Sequence, residues 1–219
     1  MRKITEYSTL VFDCDGVVLD SNQTKIQAYF DTAINYGATE SQAQALVDYH
    51  VRLGGISRFV KFDYFLKEIL KKPADSAEVQ WLLDEFGRIL EYELMHCEIA
   101  PGLNEIKRAT PQAKWLLVSG GDQDELRNLF SKRGIAELFE GGIFGSPDNK
   151  DQILKREIES GNLQFPALFL GDSRYDHQAS IAAGLDFVFL TDWTDVPEWQ
   201  KYCEEHAVVT RNNLQSLIC

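Results

Sequence analysis

From about residue 99 onward, short apolar runs and amphipathic helical stretches take turns along the chain, and few folds accept that order. Strand candidates fall at residues 114–120 (KWLLVSG), 141–145 (GGIFG), 166–172 (PALFLGD), 185–190 (LDFVFL) and 207–210 (AVVT). Helical stretches occupy 124–134, 150–160 and 174–184 between them. Parallel neighbours need a crossover connection, and a helix is the usual one. Strand–helix alternation therefore predicts an α/β, Rossmann-like parallel sheet with helices on both faces.

One further apolar run, residues 9–12 (TLVF), lies far upstream. Alone it could bury nothing, so it belongs to the same sheet. The residues between, from about 21 to 97, have helical periodicity instead. In 57–72, Phe59, Phe62, Leu66 and Ile69 share one face; in 76–96, Val79, Leu82, Leu83, Phe86, Leu90 and Leu94 do. Pro73 breaks the chain between those two stretches. A Pro-initiated helix is expected after residue 100 (APGLNEIKRATPQ). Residues 20–98 are thus expected as an all-helical insertion into a core made of residues 1–19 and 99–219.

Ligands of open parallel sheets bind beyond the carboxyl ends of the strands. The first strand ends in Asp13-Cys14-Asp15-Gly16 and the second in Ser119-Gly120-Gly121; a loop after the third ends at Lys150, and the fourth runs into Asp172 and Asp176. Residues two apart in a strand share a face, so Asp13 and Asp15 converge before Gly16 lets the chain turn. With Asp172 nearby, such an acid cluster calls for a hard dication, and oxygen ligands point to Mg²⁺ rather than zinc. Ser119 offers a hydroxyl, Lys150 a compact charge, and Gly120 and Gly121 backbone amides before a helix that Asp122 could cap, with Glu125 completing a capping box. These parts suit a phosphoryl group held over magnesium with Asp13 as the attacking carboxylate.

Charge and cysteine usage narrow the partners. A formal net charge of −12 repels nucleic acid and anionic membranes, so any anionic substrate needs positive charge built into its site. No run approaches the ~20 apolar residues of a spanning helix. The four cysteines are scattered, and with no signal peptide they read as reduced thiols, predicting a cytoplasmic protein. Cys203 and His206 have metal-like spacing but lack two further ligands.

The stretches VFDCDGVVLDS, LLVSG, Lys150 and GDSRYDHQASIAAG resemble the four motifs of the haloacid dehalogenase superfamily, in the branch of phosphoglycolate phosphatase and β-phosphoglucomutase. The resemblance spans the whole core and implies that residues 20–98 form a cap closing over the site. It implies that Asp13 forms an aspartyl-phosphate and that Asp15 is general acid and base and lends a backbone carbonyl to Mg²⁺. It also implies that Ser119 and Lys150 bind phosphate, Asp172 ligates the metal and Asp176 supports it. Lys150 precedes Asp151 where the family often has proline.

Within the cap, HVRLGGISRF combines Gly54-Gly55, suited to a bent loop, with Arg52 and Arg58, whose forked donors could meet a leaving group; a plain interhelix turn reads equally well. The expected activity is Mg²⁺-dependent hydrolysis of a small phosphorylated metabolite, a sugar phosphate being one candidate. A phosphomutase would use the same residues. A phospho-accepting or non-catalytic phosphate-binding domain is the alternative of another class. Oligomeric state is not legible in the sequence.

Overall fold

A computed structural model describes residues 2–218. Strands β1 (Thr9–Phe12), β2 (Lys114–Asp122), β3 (Ile143–Ser146), β4 (Ala167–Gly171), β5 (Asp186–Leu190) and β6 (Val209–Arg211) form one sheet in the order β3-β2-β1-β4-β5-β6. Every pairing is parallel. The upstream run takes the centre, where Phe12 sits between Leu117 of β2 and Leu170 of β4. Period-two alternation then sorts the side chains. Phe12, Trp115, Leu117 and Leu170 enter one apolar layer, and Val11, Leu116, Val118 and Phe169 the other.

Between β1 and β2 lie α1 (Asn22–Asn35), α2 (Glu40–Arg52), α3 (Arg58–Tyr64) and α4 (Ser76–His96). Their buried apolar cluster, which includes Tyr29, Leu46, Phe62, Leu82 and Phe86, draws no residue from the strands. Helix α3 continues as a π-helical turn, Phe65–Ile69, rather than running to residue 72. That wide turn buries Phe65 beside Leu66, while Phe59 and Ile69 of the expected apolar face pack only partly buried. The segments leading out and back are paired: Leu19 bridges Ile99 antiparallel, and the Asp20 amide donates to the Glu98 carbonyl at 3.0 Å.

The sheet is flanked by α5 (Leu103–Ala109) and α6 (Gln123–Lys132) on one face, and by α7 (Lys150–Glu159), α8 (Arg174–Ala182) and α9 (Trp199–Glu205) on the other. Helix α5 starts at Leu103 after Gly102, so Pro101 stands outside it and not at its first position. Cys203 packs in the second apolar layer and the His206 ring bonds the Tyr202 carbonyl, so the CEEH spacing builds a helix end. No helix among the described residues is long and apolar enough to cross a membrane.

Candidate active site

The carboxyl ends of β1, β2 and β4 and the start of α7 converge at one edge of the sheet. Asp13 follows β1 and is 3% exposed. Its amide donates to Leu170 at 2.9 Å, which keeps the chain in register one residue past the strand. Asp13 Oδ1 accepts from the Cys14 amide at 2.7 Å and lies 3.0 Å from Lys150 Nζ. Among the described residues no hydrogen bond reaches Asp13 Oδ2.

Lys150 opens α7 behind its cap Asn149, and its fully buried ammonium bridges Asp13 and Asp176. Asp176 holds its place through a capping box on α8, where Ser173 donates from its amide at 3.1 Å and its hydroxyl at 2.6 Å. Both Asp176 oxygens are therefore engaged. Among the described residues the Asp172 carboxylate has one hydrogen-bond partner, Asn22 Nδ2 at 2.7 Å. Asp13, Asp172 and Asp176 each bring a carboxylate oxygen within 4.8 Å of the others. Gly16 makes this approach possible. It has φ +72°, and any Cβ there would strike the Asp172 carboxylate.

Burial dominates the electrostatics. It pushes the Asp13 pKa up to about 7, with Asp176 and Asp15 adding to the rise and Lys150 opposing it. Asp172 is held well above the carboxylate range by burial and by its acidic neighbours Asp13 and Asp176. Asp15 goes the other way. Burial raises it, but the Lys25 charge and hydrogen bonds from Lys25 and Ser21 outweigh that and hold it ionised. Ser119 is buried, and its hydroxyl accepts from the Gly121 amide at 3.1 Å.

The inserted helices close over this edge and leave a cavity of about 430 Å³ lined from both sides. Gly120 lies so close to the Gly55 carbonyl that no side chain fits between them. Ser57 meets Ser146 at 2.7 Å, Oγ to Oγ. Arg58 is 7% exposed in the wall, but its guanidinium reaches back to Glu125 at 2.7 Å. Glu125 therefore does not complete the expected capping box; Asp122 alone caps α6. Gly54 and Gly55 line the cavity. Arg52 does not: it is exposed and stacks over the Tyr49 ring.

Sequence reasoning passed over Asn22, Lys25, His50, Lys61 and Asp195, all of which line the cavity. Lys25 follows Ser21 by one helical turn, so both side chains reach Asp15; that spacing was readable. His50 and Lys61 sit on the apolar faces of their helices beside Leu46, Val47 and Phe62, a placement polar residues rarely take without cause.

Solved structures share the whole architecture. A predicted phosphoglycolate phosphatase from Haemophilus somnus 129PT superposes with TM-score 0.72 at 17% identity, covering 98% of this chain and 97% of its own. A predicted phosphatase from Clostridium acetobutylicum gives 0.73 at 15%, with 96% of each chain covered. A provisionally assigned β-phosphoglucomutase from Bacteroides vulgatus gives 0.71 at 16%, covering 97% of this chain and 86% of its own. At such identities the likeness is one of fold. No curated protein matches the chain in sequence. The sequence model of the haloacid dehalogenase-like hydrolases matches residues 7–184, which include every strand-end acid described above, and the chain belongs to that family.

Proposed function

We propose that the protein is a Mg²⁺-dependent phosphatase that hydrolyses a small phosphorylated metabolite through a phosphoryl group carried on Asp13. The observation that carries this reading is the buried Asp13 carboxylate in the lining of the cavity, fixed at one oxygen by Lys150 and Cys14 and, among the described residues, with the other free of protein donors. The names of the Haemophilus somnus and Clostridium acetobutylicum neighbours support it.

The donor set fits the metal. Among the described residues it consists of buried carboxylate oxygens with no thiolate or imidazole, and the Asp172 carboxylate has a single hydrogen-bond partner for its charge. Asp13, Asp172 and the Asp15 carbonyl would hold the ion, with Asp176 outside, since Lys150 and Ser173 already occupy its oxygens. Bound there, Mg²⁺ would supply positive charge to the phosphoryl oxygens.

In the first step an Asp13 oxygen attacks phosphorus and the bond to the leaving oxygen breaks. Ser119 and Lys150 hold the phosphoryl oxygens as charge builds. Asp15, once protonated, gives its proton to the leaving oxygen. It then takes a proton from water, which attacks phosphorus and frees Asp13. The ion pair with Lys25 stabilises the ionised form that the second step needs.

The test is inorganic phosphate release from a panel of phosphate monoesters, with Mg²⁺ and with EDTA. Release should require Mg²⁺ and vanish in Asp13→Asn, because an amide is a poor nucleophile. If Asp13→Asn keeps most of the rate, with deamidation excluded by mass spectrometry, the covalent route fails.

A further inference from the structure

Asp172 and Asp176 are both buried and both close to Asp13, yet they are held by groups of different charge. Lys150 and Ser173 engage both oxygens of Asp176. Among the described residues the Asp172 carboxylate is left to one neutral donor. That donor is Asn22, which belongs to the inserted segment and opens α1 behind Ser21.

Asn22 is buried, and its side-chain amide is pinned. Nδ2 donates to Asp172 Oδ2 at 2.7 Å and to the Trp193 carbonyl at 2.8 Å, which uses both of its hydrogens. Turning the amide over would set its oxygen against two acceptors, so one orientation alone is bonded. The space is cut for this pair. A Cβ on Gly16 would collide both with Asn22 Nδ2 and with the Asp172 carboxylate. Thr194, next to Trp193 in the loop after β5, donates its hydroxyl to the Asp172 backbone carbonyl at 2.7 Å. Main chain and side chain of Asp172 are thus held separately.

The neutrality of the donor matters. A lysine at this place would orient Asp172 but also neutralise it, as Lys150 does Asp176, and so weaken its attraction for a cation. An amide fixes the carboxylate and adds no charge. Among the described residues no hydrogen bond reaches Asp172 Oδ1, which stays open beside Asp13. Holding a ligand in place beforehand removes ordering entropy that binding would otherwise cost.

We propose that Asn22 is a positioning residue for the cation site: it holds Asp172 ready for Mg²⁺ without competing for its charge. The first turn of the inserted segment then sets the metal affinity of the core. This deepens the phosphatase reading and rests on the metal which that reading invokes.

Wild type, Asn22→Leu and Asn22→Ala, stripped with EDTA and dialysed, are titrated with MgCl₂ at pH 8 and followed by Tm, each against its own metal-free value. Leucine keeps the bulk and loses both donors; alanine loses them without any risk of a clash. Both variants should need about ten- to a hundredfold more Mg²⁺ for a fixed rise in Tm, the usual value of a group that orients a metal ligand. Phosphate release should divide in the same way, with half-saturating Mg²⁺ raised by that factor and kcat at saturating Mg²⁺ changed far less. Thr110→Val removes a buried hydroxyl at the end of α5, outside the cavity lining. It should lower Tm and leave the Mg²⁺ requirement alone; an equal rise there would make the effect one of stability and overturn the assignment. An unchanged Mg²⁺ requirement in both Asn22 variants overturns it too, and the phosphatase reading then stands. A wild type that Mg²⁺ neither stabilises nor activates overturns the metal and the assignment together.

Discussion

Two carboxylates two residues apart acquire opposite electrostatics because their cations sit in different places. Asp13 shares Lys150 with Asp176, so one positive charge serves two acids and burial wins. Among the described residues Lys25 makes its ion pair with Asp15 alone, and the pair outweighs burial. Separate roles follow. Asp15→Asn should lower kcat by about 10²–10⁴-fold, the usual value of a general acid–base group, while the fold and metal binding persist. Lys25→Met should act through Asp15 by removing the charge that holds its pKa down. As a base Asp15 must be ionised, so the acidic limb of the pH–rate profile should move to higher pH. A limb that stays in place would detach Lys25 from the chemistry. The strand-end acids were legible because an apolar run cannot continue through two carboxylates. Lys61 and His50 were not recognised, since only the packing of α2 against α3 brings residues 11 apart into contact.

At the level of elements, the closure is a contact between two glycine segments. Gly120 at the end of β2 meets the Gly55 carbonyl, and Gly55 lies near Ser173 and Lys150, so the loop expected to bend near a ligand reaches the lysine proposed to hold the phosphoryl group. Gly120 is not in the left-handed region, so Gly120→Ala should cost the strand little strain. Its methyl would nonetheless drive the Gly55 loop off the edge. We expect kcat/KM to fall at least tenfold with Tm nearly unchanged; a Tm collapse would mean the residue matters to the sheet rather than to closure. The strands themselves were readable because parallel strands buried on both faces appear as continuous apolar runs. The partners of Arg58 and Glu125 were not. Each had a plausible local role, at a leaving group or in a capping box, and a contact between segments far apart in sequence took both side chains instead.

The whole molecule carries a net charge of −12, yet it buries Asp13, Asp172 and Asp176 together, and among the described residues Lys150 alone is ion-paired to two of them, Asp13 and Asp176. That imbalance ties stability to pH and to metal. Without a bound cation, Asp13 keeps its proton up to about pH 7 in the folded protein, and Asp172 also binds its proton more tightly than a free carboxylate does. The unfolded chain releases those protons near pH 4. Between those values the folded state holds more protons, so stability falls as pH rises from about 4 to about 7. A divalent cation competes for the same oxygens and reverses the penalty, most strongly where the protons are already gone. Added Mg²⁺ should therefore raise Tm little at pH 5.5 and clearly at pH 8, where a ligand at a hundred times its Kd contributes about 2.7 kcal/mol. Asp13→Asn should shrink the pH 8 shift, since it removes one ligand charge, and should flatten the metal-free stability profile between about pH 4 and 7. Thermal melts in EDTA and in Mg²⁺ at both pH values measure all of this. A Mg²⁺ shift equal at the two pH values, or larger at pH 5.5, would show that the cation binds somewhere other than these carboxylates.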